Sequence, residues 1–131
     1  MIALDTNVLV RLLVQDDEQQ FRATSKLLSR KGAKFFASDL VLMELDWVLR
    51  KLYDWKPEEV IAALYQMLAI HNLVFEDERR LLAVLEAMKK GAGMADELIA
   101  TMARQHGCRE LASFDKSFTK NHAGFVVIPK S

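Results

Sequence analysis

The sequence alternates regularly between short apolar runs and longer segments with helical periodicity, and this alternation limits the fold more than any other feature. The apolar runs predict five strands, at "MIALD", "AKFFAS", "NLVFE", "ELASF" and "GFVVIP". Between them, the spacing of apolar residues, caps and breakers predicts helices near residues 6–14, 17–29, 38–53, 57–70, 77–90 and 95–106. Strands that alternate with helices are typical of a mostly parallel sheet with right-handed crossovers. The pattern therefore predicts a three-layer α/β/α domain with helices on both faces of that sheet.

Length and composition indicate one domain over residues 1–131. A chain of 131 residues, of which 51% are hydrophobic, can bury one complete core but is too short for two ordinary domains. Its single cysteine, Cys108, cannot form an internal disulfide, which favours a reducing compartment. We expect neither export nor membrane insertion, because the sequence shows no basic leader and no apolar run of membrane-spanning length. These expectations favour a cytoplasmic protein.

The charge balance gives no general reason to expect nucleic-acid binding. The 18 Lys and Arg residues balance the 18 Asp and Glu residues, so the chain has no global positive field. Any contact with RNA must come from local cations, although most surface Lys and Arg side chains are simply solvated. The cations that neighbour acidic segments are Arg11, Arg50, Lys51 and Lys116.

Two acidic residues follow predicted strands, at the sheet edge where parallel α/β proteins bind ligands. Asp5 ends the first strand and opens a helix, and Asp115 ends the run "ASFD". Each has an ordinary structural interpretation, since Asp is a common helix N-cap and a common first residue of a turn. Position alone leaves ligand binding and capping open.

A third acid, Glu44, lies on a helix that is apolar on nearly every side. Glu44 falls between Leu40 and Val48 on the helix surface, so we expect it to face the core. Burial of a carboxylate costs several kcal/mol unless something pairs with it. That partner can be a bound ligand or, as the structural alternative, Lys51, which lies about two turns along the same face.

Helical periodicity also separates neighbouring acids from one another. Asp96 falls on the side of Ala100 and is expected to face inward, whereas Glu97 is expected to face outward. Asp46 and Arg50 form an i, i+4 pair on the polar stripe of their helix, which is typical of a solvated surface. Asp96, rather than Glu97 or Asp46, is therefore the candidate ligand.

Each acid alone has a structural explanation, but the topology brings four of them from separate segments to one edge of one sheet. Four carboxylates within about 5 Å repel by roughly 3 kcal/mol per pair at an effective dielectric of about 20, so the arrangement requires a cation. An all-oxygen, all-acid site selects Mg²⁺ or Mn²⁺, which can activate water and neutralise charge on a phosphoryl oxygen. The predicted ligands are Asp5, Glu44, Asp96 and Asp115.

The same residues carry a resemblance to a known family. The segments "LDTNVLVR", "LVLMELDWVLRKLY", "ADELIATMA" and "LASFDKSF" resemble the PIN-domain ribonucleases, and most closely the VapC-like toxins of toxin–antitoxin pairs. The resemblance implies a five-stranded parallel sheet, a Mg²⁺ or Mn²⁺ site at the four acids, and hydrolysis of RNA to a 5′-phosphate and a 3′-hydroxyl. It also implies a VapB-like antitoxin partner and a homodimer.

The resemblance assigns supporting roles as well. Asn7 matches the position that orients the first carboxylate, Ser113 stands where the family has Thr or Ser before the last Asp, and Thr6 joins them as a supporting residue. The sequence departs from many members at Gly93, where they carry a further Asp. The number of bound ions therefore stays open.

Three other functions compete with a toxin ribonuclease. An aspartyl phosphotransferase also begins with a strand that ends in Asp, but it needs a second Asp where this chain has Asn7, and an amide cannot serve as general acid. A housekeeping RNA-processing nuclease would have the same site without an antitoxin. A non-catalytic protein- or RNA-binding module would have no need of four mutually repelling acids.

Overall fold

The structure is a computed structural model that describes residues 1–131. It has an α/β architecture and divides into two compact units, Met1–Leu81 (unit 1) and Leu82–Ser131 (unit 2). No helix is both long and apolar enough to cross a membrane.

Unit 1 contains a three-stranded parallel sheet in the order β1-β2-β3, formed by Ile2–Ala3, Phe35–Ala37 and Leu73–Phe75. Its helices are α1 (Thr6–Val14), α2 (Glu18–Leu28), α3 (Asp39–Leu52) and α4 (Pro57–Leu68), followed by the start of α5 (Glu78–Lys89).

Local sequence signals explain where these helices begin. The Ser38 hydroxyl accepts a hydrogen bond from the Val41 N–H at 3.2 Å and caps α3. Pro57 occupies the first turn of α4, where its missing N–H costs nothing. Apolar side chains from β2 and the helices then form the core, including Leu9, Phe35, Leu42, Leu45, Leu49, Val60, Leu64 and Met67.

Unit 2 contains the rest of α5, then α6 (Met94–Gln105), β4 (Leu111–Ala112), α7 (Lys116–Asn121) and β5 (Val126–Val127). β4 and β5 pair in parallel, with Ala112 opposite Val127. A separate apolar cluster holds α6, α7 and β5 together, and its buried members are Ala100, Phe118, Phe125 and Val126.

The six predicted helices and five predicted strands are confirmed, with helix ends within two residues of the expected positions. The sequence missed the short helix α7, which starts at a predicted turn. The strands form sheets of three and two rather than one sheet, so a continuous five-stranded sheet stays a prediction.

Candidate functional site

Unit 1 brings Asp5 and Glu44 to one cavity. This open cavity of about 360 Å³ is lined by Asp5, Thr6, Asn7, Val10, Arg11, Glu44, Val48, Leu52 and Tyr53. Asp5 enters it because β1 ends directly before α1, where its carboxylate accepts the Thr6 N–H at 2.7 Å. Glu44 enters it from α3, which packs against α1. Two of the four predicted ligands therefore line the same space.

The expectation that Glu44 faces the core was wrong. Glu44 is exposed, and so are its helix neighbours Leu40 and Trp47, the latter with 53% of its surface in water. The buried face of α3 instead carries Leu45 and Leu49. Because this helix is apolar on nearly every side, its periodicity could not tell the core face from an exposed apolar face.

The expectation of a solvated Asp46–Arg50 pair was also wrong. Asp46 has only 3% of its surface exposed, and Arg50 donates two hydrogen bonds of 2.9 Å to its two carboxylate oxygens. This contact raises the pKa of Arg50. A bidentate pair at this depth is a structural feature of α3. The Arg50 guanidinium, a predicted RNA contact, is therefore already engaged by Asp46.

A second ion pair anchors the start of α3. Arg80 donates to Asp39 at 2.7 Å, and both side chains are buried. Burial raises the pKa of Asp39, and the Arg80 guanidinium opposes this shift. Arg80 also pairs with Glu76 and Asp77. The helix that carries Glu44 is thus fixed by charge pairs at both its first and its later turns.

Arg11 lies in the cavity with the two acids. Its guanidinium donates to the Tyr53 hydroxyl at 2.8 Å and to the Asp16 carboxylate, and these contacts raise the pKa of Arg11. The guanidinium is thus held in place by a hydroxyl and by a carboxylate of opposite charge. Lys51 and Lys116, the other candidate cations, are exposed.

One buried polar atom in the cavity has no partner. The Thr6 side-chain hydroxyl is buried and makes no hydrogen bond, although its neighbour Asp5 does. An unsatisfied buried hydroxyl costs about 1–3 kcal/mol, so natural proteins usually supply a partner such as an ordered water. The Thr6 hydroxyl thus lies buried beneath the cavity, whereas Asn7 is an exposed polar residue that lines it beside Asp5.

Unit 2 brings the other two predicted ligands into one electrostatic environment. Asp96 is half-buried on α6, and Asp115 follows β4. Desolvation raises the pKa of Asp96, the negative charges of Asp115 and Glu97 raise it further, and His122 opposes the shift. Asp96 thus lies close enough to Asp115 to resist ionisation beside it.

Asp115 is also a helix cap. Its carboxylate accepts the Phe118 N–H at 3.0 Å and so begins α7, while its own N–H donates to the Ser113 hydroxyl at 3.1 Å. These two bonds fix the carboxylate at the end of β4. Ser113 thus contacts the backbone of Asp115 rather than its carboxylate, and its supporting role stays a prediction.

Sequence reasoning missed a buried pair beside Asp96. His122 Nε2 lies 2.8 Å from Glu97 Oε1, and each side chain is about nine-tenths buried. The expectation that Glu97 faces outward was wrong, and Asp96 is the more exposed of the two neighbours. His122 lies at the end of α7. Because the sequence did not predict this helix, it could not predict that the His122 imidazole lies near α6.

Neither unit by itself gathers three or more carboxylate, imidazole or thiol ligands at the spacing of a bound metal ion. Each supplies two of the predicted acids.

Comparison with known proteins identifies the family of this chain. The chain matches the family model of the PIN domain over residues 2–123, and it therefore belongs to the PIN-domain family. It is also similar to a VapC ribonuclease of Aquifex aeolicus (strain VF5), with 28% identity over 124 residues, or 92% of this chain and 91% of that protein. The resemblance inferred from the sequence motifs is confirmed.

Proposed function

We propose that the chain is a Mg²⁺- or Mn²⁺-dependent endoribonuclease, the toxin of a cytoplasmic toxin–antitoxin pair, and that residues 1–131 act as one PIN domain with a single sheet. The observation that carries this proposal is the pairing of the predicted acids. Asp5 and Glu44 line one cavity in unit 1, and Asp96 and Asp115 are electrostatically coupled in unit 2. The similar VapC ribonuclease supports the RNA substrate.

The residues fit a hard divalent cation. All four proposed ligands are carboxylates, and such oxygen ligands favour Mg²⁺ or Mn²⁺ over softer metals. Desolvation first, and then the charges of Asp115 and Glu97, raise the pKa of Asp96, and a bound cation would oppose both effects. Thr6 and Asn7 offer polar groups around Asp5, and Ser113 holds Asp115.

When bound, such an ion supplies a more acidic water and offsets charge on the phosphoryl oxygens. The side chains of this protein supply orientation. The Thr6 backbone N–H orients the Asp5 carboxylate, Asn7 lines the cavity beside it, and Asp115 is held by its capping bonds. Arg11, Lys51 and Lys116 are the proposed phosphate contacts, and Arg50 retains its structural pairing with Asp46.

The test is cleavage of single-stranded RNA with Mg²⁺ or Mn²⁺, with Ca²⁺ or Zn²⁺, and with excess chelator. The parent should cleave with Mg²⁺ or Mn²⁺ alone, and Asp5→Asn should lose activity by orders of magnitude. Asp54→Asn is the matched control, because it removes the same charge from an exposed position outside the cavity and tolerates its left-handed backbone. Full activity in chelator would exclude a metal-dependent mechanism.

We further propose a VapB-like antitoxin as the partner, since a basic segment can occupy a pocket of carboxylates. An inserted Arg or Lys would replace the charge of the ion and block phosphate entry. Pull-down with the product of an adjacent gene should recover a complex, and Glu44→Ala with Asp96→Ala should weaken it. Absence of such a partner would favour the housekeeping RNA-processing nuclease, and unaltered binding would place the antitoxin elsewhere.

A homodimer is proposed from the exposed apolar residues of α3. Leu40, Trp47 and Leu52 all have more than half of their surface in water, which is more apolar exposure than one helix of a monomer usually carries. Light scattering should give about twice the 14.9 kDa chain mass. Trp47→Glu should shift the protein toward monomer, and a parent that stays monomeric at micromolar concentration would contradict the proposal.

A further inference from the structure

Phe114 presents an aromatic ring to water directly beside a proposed catalytic acid. It lies between Ser113 and Asp115 and is 78% exposed, while Phe118 and Phe125 of the same unit are buried. The exposure of this ring is set by the backbone around it. Ser113 donates its N–H to Val127 at 3.0 Å, and Asp115 donates its N–H to the Ser113 hydroxyl. The ring is thus attached to a segment that is fixed on both sides.

An exposed Phe gives up a contribution to stability, since burial of such a side chain is favourable. A single exposed apolar residue is ordinary, but a second one accompanies the other acid of unit 2. Ile99 is 51% exposed and follows Asp96 by three residues on α6, which places the two on the same helix surface. Exposed apolar groups therefore flank both Asp96 and Asp115.

We propose that Phe114 is a stacking platform for an unpaired nucleobase of the RNA substrate, next to the bond that is cleaved. The inference rests on the proposed function and names a substrate subsite for it. A nucleobase offers a flat face to an aromatic ring, and such stacking tolerates any base. Lys116, exposed two residues beyond the ring, supplies the positive charge that suits the adjoining phosphate. Ile99 gives a second, non-aromatic contact.

Protein binding is the competing explanation of this exposed ring, and the surroundings favour RNA. The sequence neighbours of Phe114 are Ser113, Asp115 and Lys116, which are polar or charged. A protein-binding surface has an apolar centre depleted of charged residues. A base with its phosphate needs one flat ring and a nearby cation, which this segment provides.

Steady-state cleavage of single-stranded RNA tests the platform with Phe114→Leu and Phe114→Trp. Leu keeps most of the apolar volume and removes the aromatic face, whereas Trp keeps a larger face. Phe114→Leu should raise KM about tenfold with a smaller effect on kcat, and Phe114→Trp should keep KM near the parent value. Leu82→Ala, an exposed apolar control on α5, should leave both constants unchanged.

Direct binding separates this inference from the proposed function. A fluorescent single-stranded octanucleotide should bind Phe114→Leu about tenfold more weakly than parent, and an abasic octanucleotide should bind both proteins equally. If the parent protein binds RNA but does not cleave it, the proposed function is contradicted. The difference in affinity between parent and Phe114→Leu then still tests the stacking platform. Equal affinity of parent and Phe114→Leu for the normal octanucleotide would overturn the platform, as would weaker binding by Phe114→Trp than by Phe114→Leu.

Discussion

The two pairs of acids differ in their surroundings, although the residue types are the same. Asp5 and Glu44 line an open cavity of about 360 Å³ that also contains the cationic Arg11. Asp96 is half-buried, and its pKa is raised by desolvation and by Asp115 and Glu97. Unit 1 thus offers an open site whose one cation, Arg11, is already paired with Asp16, whereas in unit 2 desolvation and repulsion at Asp96 are opposed only by His122. A divalent ion should therefore relieve more electrostatic cost in unit 2.

The largest expected effect is a loss of RNA cleavage, and it tests whether the acid pair of unit 1 and the acid pair of unit 2 act together. Asp5→Asn and Asp96→Asn should each lower kcat by about 100-fold or more if each removes a metal ligand. The double variant should then be hardly worse than either single variant, because residues that act as one unit are grossly non-additive. Cleavage assays of the parent, the two single variants and the double variant measure this. Multiplied losses would indicate two independent sites.

A smaller effect tests whether ion pairs fix the helix that carries Glu44. Arg80→Met should destabilise the protein by about 3–5 kcal/mol, because it leaves the buried Asp39 charge unpaired. Arg50→Met should cost a similar amount, because it leaves the Asp46 carboxylate unpaired with only 4% of its side chain exposed. Urea unfolding measures both free energies. Small losses in both variants would show that these pairs do not anchor α3.

The smallest effect concerns pH and the acid of unit 2. The folded-state pKa of Asp96 is raised above 3.8 by desolvation and neighbouring acids, so the folded protein binds its proton more tightly than the unfolded chain. Protonated Asp96 therefore contributes stability that is fully present below the ordinary pKa of 3.8 and is lost as pH rises through the folded-state pKa. Without metal at pH 7, Asp96→Asn should therefore be more stable than parent by roughly 1 kcal/mol.

Melting curves of parent and Asp96→Asn between pH 4 and 7 check this expectation. The advantage of the variant should shrink toward acid pH, where the parent carboxyl is protonated as well. Asp54→Asn is the control, since it removes the same charge from an exposed position. A variant that is less stable than parent at pH 7 would mean that ionised Asp96 is stabilised in the folded protein.

Most of the fold could be predicted from the sequence because its signals are local. Helix starts such as Ser38 and Pro57 follow from capping and proline chemistry, and the five apolar runs are short and well separated. The arrangement of strands into sheets of three and two depends on long-range packing, which no local pattern encodes. The helix α7 was missed because its six residues carry too little periodicity.

The candidate site was predicted less completely, since side-chain direction depends on tertiary packing. Asp5 could be placed because a strand end leads directly into a helix. Glu44 is exposed rather than buried, because α3 has two apolar faces. Glu97 is buried rather than exposed, because it pairs with His122, which lies 25 residues away in the sequence. Asp46 was taken for a surface residue because an i, i+4 ion pair has the same spacing in either environment.

The proposed function requires Asp5, Glu44, Asp96 and Asp115 to hold the same ion. The direct test is the change in melting temperature that Mn²⁺ produces in parent, Asp5→Asn and Asp96→Asn. At an ion concentration of about 100 times Kd, the parent should gain about 2.7 kcal/mol, whereas each variant should lose most of that gain. A variant that keeps the full parental shift would show that the other acid pair binds the ion alone, which would contradict a shared site.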